Sequence, residues 1–242
     1  MVIYEQIYEF ERLLATISKG FTTVEKPDTD TILLAMNIAQ TRFVFTKYLN
    51  EGTTTKTVEH LRKKADDLRN IIQPSEQLTA TAINSGPYNG IGYTIPITST
   101  STPYLFYLRS DSYVSRVTAL PTSGYIWTPN NLADSIADLD NVTTNLFNKP
   151  ILRQPIVALQ SNGILLLTDS YTTVNSTGGF SMSYLRQPKY LGFVDNATTT
   201  TTCELASHTH EELTRFAVDI YTKEYKFLLA GMGGKKQETN AE

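Results

Sequence analysis

The chain has almost none of the residues that staple a fold or hold a metal. Among its 242 residues there is one cysteine, Cys203, so no internal disulfide can form and the cysteine clusters that build zinc sites are missing. Histidine occurs three times and tryptophan once. Charged residues make up only 19%, against about a quarter in an average soluble domain. Basic excess is also missing: 21 Lys plus Arg face 24 Asp plus Glu, a formal charge of −3. Affinity drawn from neutralising phosphates along a duplex is therefore not expected. No apolar run approaches the roughly 18 residues of a membrane span. Glu5 and Glu9 stand where a secretory signal would carry basic residues. These absences lead us to expect a soluble product made in the cytoplasm, with no membrane partner. What fills the space is threonine, 35 in all, with a length that suits one large domain or two small ones.

Charge is distributed unevenly, and the distribution suggests an architecture. Residues 1–74 carry 20 of the 45 charges, residues 75–202 carry 13, and residues 203–242 carry 12. The outer parts have helical periodicity. Ile3, Ile7, Phe10, Leu14 and Ile17 recur at three- and four-residue steps up to Gly20. A second helix is expected after Pro27, capped by Asp28 or Asp30, with Ile32, Leu33, Met36, Ala39 and Phe43 on one face and Gly52 at its end. A third carries Val58, Leu61, Ala65, Leu68 and Ile72, with Arg62, Lys63, Asp66 and Arg69 opposite as a solvated face, and Pro74 as its stop. The last helix is expected over 209–230, capped by Ser207 or Thr209. Its stripe comprises Leu213, Phe216, Ala217, Ile220, Tyr221, Phe227 and Leu228.

The middle is rich in Thr, Ser, Tyr, Ile and Val, punctuated by Gly and Pro, which favours pleated, half-buried strands. Strands are expected over 104–108, 113–120, 124–127, 151–159, 164–168 and 180–185, paired as a meander through turns such as Asn89-Gly90 and Gly178-Gly179. Leu132, Ile136 and Leu139 are spaced for a short helix within 130–145. The expected fold is α+β: N-terminal helices (1–74) and a C-terminal helix (203–230) packed together, an antiparallel sandwich or barrel-like region (75–202) inserted between them, and a flexible tail (231–242).

Each candidate for chemistry lacks a decisive residue. His210-Glu211-Glu212-Leu213-Thr214 has threonine where a zinc protease needs its second histidine. His208 and His210 sit at a helix start, where Glu211 and Glu212 complement the dipole. Gly231-Met232-Gly233-Gly234-Lys235-Lys236 lacks the first glycine of a phosphate loop, Leu229 standing there, and has Lys236 where Ser or Thr belongs. No Gly-x-Ser-x-Gly elbow exists for a serine hydrolase. Asp134, Asp138, Asp140 and Asp169 offer acid pairs of unknown separation. Asn141, Asn175 and Asn196 head Asn-x-Ser/Thr triplets, frequent by chance in so threonine-rich a chain. No cofactor and no metal is expected. Leu152-Arg153-Gln154-Pro155 recurs as Leu185-Arg186-Gln187-Pro188, either as two strands ending alike or as two arginines, Arg153 and Arg186, gripping carboxylates at an interface.

Three function classes remain: a structural subunit of a larger assembly, a sugar- or cell-binding module stacking ligands on Tyr88, Tyr93, Tyr125 and Trp127, and an enzyme. The stretches Tyr184-Leu185-Arg186-Gln187-Pro188-Lys189, Cys203-Glu204-Leu205 and His208-Thr209-His210-Glu211-Glu212-Leu213 resemble the C-terminal end of virion structural proteins of tailed phages of the crAss-like group, which infect Bacteroidales. The likeness covers about 45 residues of the sequence. It implies a non-enzymatic, multi-copy ring or connector protein at the portal–tail junction, contacting copies of itself in a closed ring, the portal and neighbouring ring or tail proteins. It also implies residence in the virion and passive contact with DNA in a channel. The expected interface material is Arg153, Arg186, Cys203, Glu204, His208, His210, Glu211, Lys235 and Lys236, with polar strands of the middle region.

Overall fold

The structure, a computed structural model, describes residues 3–18, 27–49, 63, 65–116, 124–133, 139, 150–151, 154–161, 163–193 and 200–233. The chain forms two compact units: Met1–Ile71 with Pro188–Glu242, and Ile72–Gln187 between them. The fold is mixed α+β, with helices towards both termini and sheets between.

The helical unit holds α1 (Ile3–Ser18), α2 (Thr29–Leu49) and α3 (His210–Gly233). α3 packs against both α1 and α2, and the Phe10 ring meets Tyr221 edge-on at 5.9 Å. The stripe α1 buries is Ile3, Gln6, Phe10 and Leu14. Ile7 is only half-buried and Ile17 is exposed, so the inward face lies one step from the expected apolar set and includes an amide. Asp28 caps α2, its Oδ1 accepting from the Thr31 N–H at 3.2 Å, and hydrogen bonding from Thr31, the side chain first and the backbone second, holds the Asp28 carboxyl below its usual range. α3 opens through a short turn, Ser207–Thr209, in which the Thr209 hydroxyl donates back to the Ala206 carbonyl at 2.7 Å. It continues to Gly233, three residues past the expected end of the helix at residue 230; glycine costs a helix about 1 kcal/mol but leaves its hydrogen bonds available, unlike proline. The expected third helix survives at residues 63 and 65–68, and Arg69–Ile71 tighten into a 3-10 turn. Its upstream part, with Val58, Leu61 and Arg62, lies outside the described residues, as does Gly52.

Pro74 does not stop that helix. It stands inside the first strand, β1 (Ile72–Leu78), at a bulge between Gln73 and Glu76 where Ser75 takes a positive φ of 45°. β1 borders its sheet, the one place where a residue without an N–H is tolerated in a ladder. The remaining strands are β2 (Thr81–Ala82), β3 (Gly92–Ile95), β4 (Tyr104–Arg116), β5 (Ile126–Pro129), β6 (Asn131–Leu132), β7 (Ile156–Gln160), β8 (Gly163–Leu167), β9 (Thr172–Val174) and β10 (Phe180–Arg186). Two more, β11 (Gly192–Phe193) and β12 (Thr200–Thr201), pair within the helical unit. One sheet runs β1-β10-β4-β5 with β9 also on β4, the other β2-β3-β8-β7-β6. All pairs are antiparallel except β6 with β7, and neither sheet closes into a barrel. The order is not the expected meander: β1 pairs with β10 and β3 with β8, across long stretches of chain.

The two sheets share a core of Leu78, Tyr107, Val114, Phe180, Met182 and Tyr184 from one and Ile95, Val157, Ile164 and Leu166 from the other. Each such side chain contributes about 1.5–3 kcal/mol by leaving water. Every residue of β8 is buried. Ile164 and Leu166 face this core, while Leu165 and Leu167 join Leu139, Ile156 and Ala158 on the other side. β8 is therefore covered on both faces and reads as a continuous apolar run. β4 is one strand where two were expected. Its polar middle, Arg109-Ser110-Asp111-Ser112, reads as a turn, yet Ser110 and Ser112 are buried. Tyr107 Oη, Ser110 Oγ, Asn130 and Ser112 Oγ are linked at 2.8 Å each. Pro155, with no N–H to give, delays the strand expected from Ile151 until Ile156; Ile151 and Gln154 make only an isolated bridge. Most of the helix expected at 130–145 lies outside the described residues, but Asn131–Leu132 is strand. Among the described residues no helix is long and apolar enough to cross a membrane.

Candidate functional site

The segment 203–212 draws together more polar side chains than any other part of the helical unit. Cys203 lies inside, 8% exposed, with its Sγ 3.5 Å from Gln40 Oε1. Burial raises its thiol pKa above the usual value, which disfavours the thiolate. Gln40 turns its amide to the Lys189 carbonyl at 3.0 Å, and Asn37 forms a two-way bond with the Leu191 backbone at 2.7 and 3.0 Å. Through these bonds α2 holds the returning chain. Glu204 accepts from the Lys189 N–H at 3.0 Å and pairs with its ammonium at 3.4 Å.

His208 Nε2 lies 2.8 Å from Asp67 Oδ1, and Lys47 Nζ lies 3.3 Å from the other oxygen of the same carboxylate. Asp67 is buried, and Lys47 also reaches Glu212 at 3.0 Å and sits 4.8 Å over the Phe43 ring. Burial works against the Lys47 charge, but Glu212 and Asp67 outweigh it and raise the ammonium's pKa. This cluster ties α2, residue 67 and both sides of the α3 start together. It binds elements of the helical unit together. Asp67 belonged to none of the expected sites; the only sequence signal was an acid next to Leu68 on the apolar side of a periodic segment.

His210 is buried, its Nε2 donating to the Leu205 carbonyl at 3.0 Å, while Nδ1 has no hydrogen-bond partner. Burial lowers its pKa. Cys203 and His210 therefore sit in the interior and not on an exposed surface: His210 is buried with Leu213 and Thr214 at the start of α3, and Cys203 in the chain that leads to it. Glu211 stays exposed and pairs with Arg215 one turn on. Arg186 is half-buried at the end of β10. Arg153, Lys235 and Lys236 lie outside the described residues, as do Asp134, Asp138 and Asp140. Asp169 uses its Oδ1 on the Tyr171 N–H. Among the described residues no three His, Cys, Asp or Glu side chains converge as a metal site would need.

In the β unit, Tyr184 donates to Glu76 at 2.5 Å, and Glu76 also accepts the Ser101 N–H. Burial and Glu76 together raise the Tyr184 pKa, and the pair braces β1 against β10. Of the four aromatics expected to form a stacking surface, Tyr88 and Tyr93 pack onto the cores. Tyr125 and Trp127 instead stand in the open at 41% and 45% exposure, and Tyr113, absent from the expected set, contacts both at 5.1 and 5.0 Å between ring centres.

A third feature is α2. It buries Ile32, Leu33, Met36, Ala39, Phe43 and Val44, yet Leu34 is 61% exposed and Phe45 also faces solvent, eleven residues and three turns further along the same side. Ile38 lies half-buried between them.

The class these features define is an α+β chain of two units whose polar clusters brace the structure. No protein-family model matches the sequence, and no curated protein is detectably similar to it.

Proposed function

We propose that this chain is a non-enzymatic structural subunit of a tailed-phage virion, present in many copies and closed into a ring at the junction of portal and tail. The observation that carries the assembly part is Leu34 of α2, 61% exposed while the opposite side of the helix fills the core. Assembly into copies of itself gives Leu34 a cover, and a closed ring requires each copy to present two different, complementary surfaces. The virion part rests on the likeness of the strand, loop and helix start at 184–213 to phage structural proteins. On this reading the protein works within the virion after synthesis in the host cytoplasm, and portal and tail proteins are its neighbours.

Light scattering and negative-stain imaging of the full chain test the proposal. The expected result is closed rings of uniform size, or monomers that associate as concentration rises, with Leu34→Asp lowering association at least tenfold. A strictly monomeric protein at every concentration, indifferent to Leu34→Asp and never incorporated in purified particles, overturns it.

A further inference from the structure

The β unit carries a second exposed feature, independent of α2 and of any ring. β5 borders its sheet, and its register sets Trp127 directly opposite Tyr113 of β4. Tyr125 lies two residues before Trp127 and so on the same face. The rings of Trp127 and Tyr113 stack at 27°, and those of Tyr125 and Tyr113 lie at 31°. Of the alternate positions, Val114, Ser112 and Thr128 are buried, while Ile126 at the start of β5 is 44% exposed. Along the same outer face of β4 follow Asp111, opposite Pro129, and then Arg109. Arg109 Nη2 donates to Asp111 Oδ1 at 2.8 Å, with Arg109 exposed and Asp111 largely covered.

The geometry points to this row, Trp127–Tyr113–Tyr125 with Asp111 and Arg109, as a binding site for a neutral pyranoside chain. A pyranose has an apolar C–H face, which stacks on an exposed aromatic ring, and a rim of hydroxyls that both donate and accept. Trp127 and Tyr125 supply rings with almost half their surface open. The carboxylate and guanidinium beside them supply an acceptor and a donor already held in place, so little ordering entropy is lost on binding. Charge decides between ligands. Nucleic acid also stacks on aromatic rings, but it needs uncompensated cations along its backbone. The cation of this row is neutralised by its own Asp111. A locally neutral patch combining ring faces with a fixed donor and acceptor complements an uncharged polyhydroxyl ligand.

Trp127 is the only tryptophan in the chain, beside 14 tyrosines, so emission excited selectively at the red edge of the tryptophan band reports on this patch. Cellohexaose, mannohexaose and xylohexaose are titrated in turn, with oligo-dT and polygalacturonate as charged competitors. At least one neutral hexaose is expected to shift the emission saturably, with a dissociation constant of about 0.1–1 mM, the range a few stacked rings and hydrogen bonds reach. Tyr125→Ala and Asp111→Asn keep the reporter and should each weaken binding about tenfold, with circular dichroism unchanged; Tyr125→Phe, which keeps the ring, should bind nearly as wild type. The site is refuted by any of three results: no neutral hexaose saturating by about 10 mM, oligo-dT or polygalacturonate binding more tightly than every neutral hexaose, or folded Tyr125→Ala and Asp111→Asn binding as wild type. An emission shift that tracks protein concentration without sugar assigns the patch to self-association and refutes it as well. The sugar titrations do not bear on the ring itself, which is read by particle mass.

Discussion

Asp67 shows what one buried charge can organise. Its carboxylate is shared between Lys47 and His208, so removing the charge strips a partner from each. Lys47 keeps Glu212 and some contact with water. The loss in Asp67→Asn should therefore fall below that of a fully buried broken pair, at roughly 2 kcal/mol, read from the denaturant midpoint of the helical unit. Glu211→Gln, which breaks the exposed pair with Arg215, should cost under about 0.5 kcal/mol. His210 supplies a pH dependence. Burial depresses its folded pKa, so between the unfolded value of about 6.5 and the lower folded value the unfolded chain takes up a proton that the folded chain refuses. The stability it supports is whole above that unfolded value and declines as pH falls below it, levelling off beneath the folded pKa. Melting temperatures from pH 8 to 4 should show a shallower acid limb in His210→Gln, provided the amide keeps the bond to the Leu205 carbonyl; an unchanged limb assigns that slope to other groups.

At the scale of elements, Gly163 is the tightest point of the central sheet. A Cβ there would stand 2.5 Å from the Ile95 carbonyl oxygen on the neighbouring strand, and backbone in a paired strand cannot step aside as a side chain can. Gly163→Ala should destabilise the β unit by about 2–3 kcal/mol, measured by chemical denaturation; a change below about 0.5 kcal/mol would show that β3 and β8 can separate locally. The helices were legible in the sequence because one stripe repeats every three or four residues, and Asp28 was legible as the cap of α2 because cap chemistry is local. Strand order was not, since the pairing of β1 with β10 is decided across more than a hundred residues by which faces bury together. β1 was hidden by Pro74, and the continuity of β4 by serines that look like a turn and turn out to be core. The candidate surfaces divide in the same way. Tyr125 and Trp127 could be read off the chain, but Tyr113, their partner on another strand, could not, and Cys203 and His210 looked accessible although the one lies against Gln40 and the other is turned inward at the start of α3.

For the whole molecule, the strands that begin and end the β unit are neighbours: Ile72 pairs with Leu185. The segment 72–187 closes on itself, carries its own core and leaves the chain where it joined it. Expressed alone, it should fold with strand-type circular dichroism and one cooperative transition. The complementary chain, with 72–187 replaced by a short Gly/Ser linker, should keep its helical signal. Loss of cooperative unfolding in both pieces would show that each unit depends on the other.

The paired stem at Ile72 and Leu185 has an evolutionary corollary. The helical frame is interrupted at a single gate about one strand spacing wide, close to 5 Å, so whatever passes through it can lengthen, shorten or be traded by recombination without resetting a helix. The surface of the inserted unit can then diversify while the helical frame stays fixed.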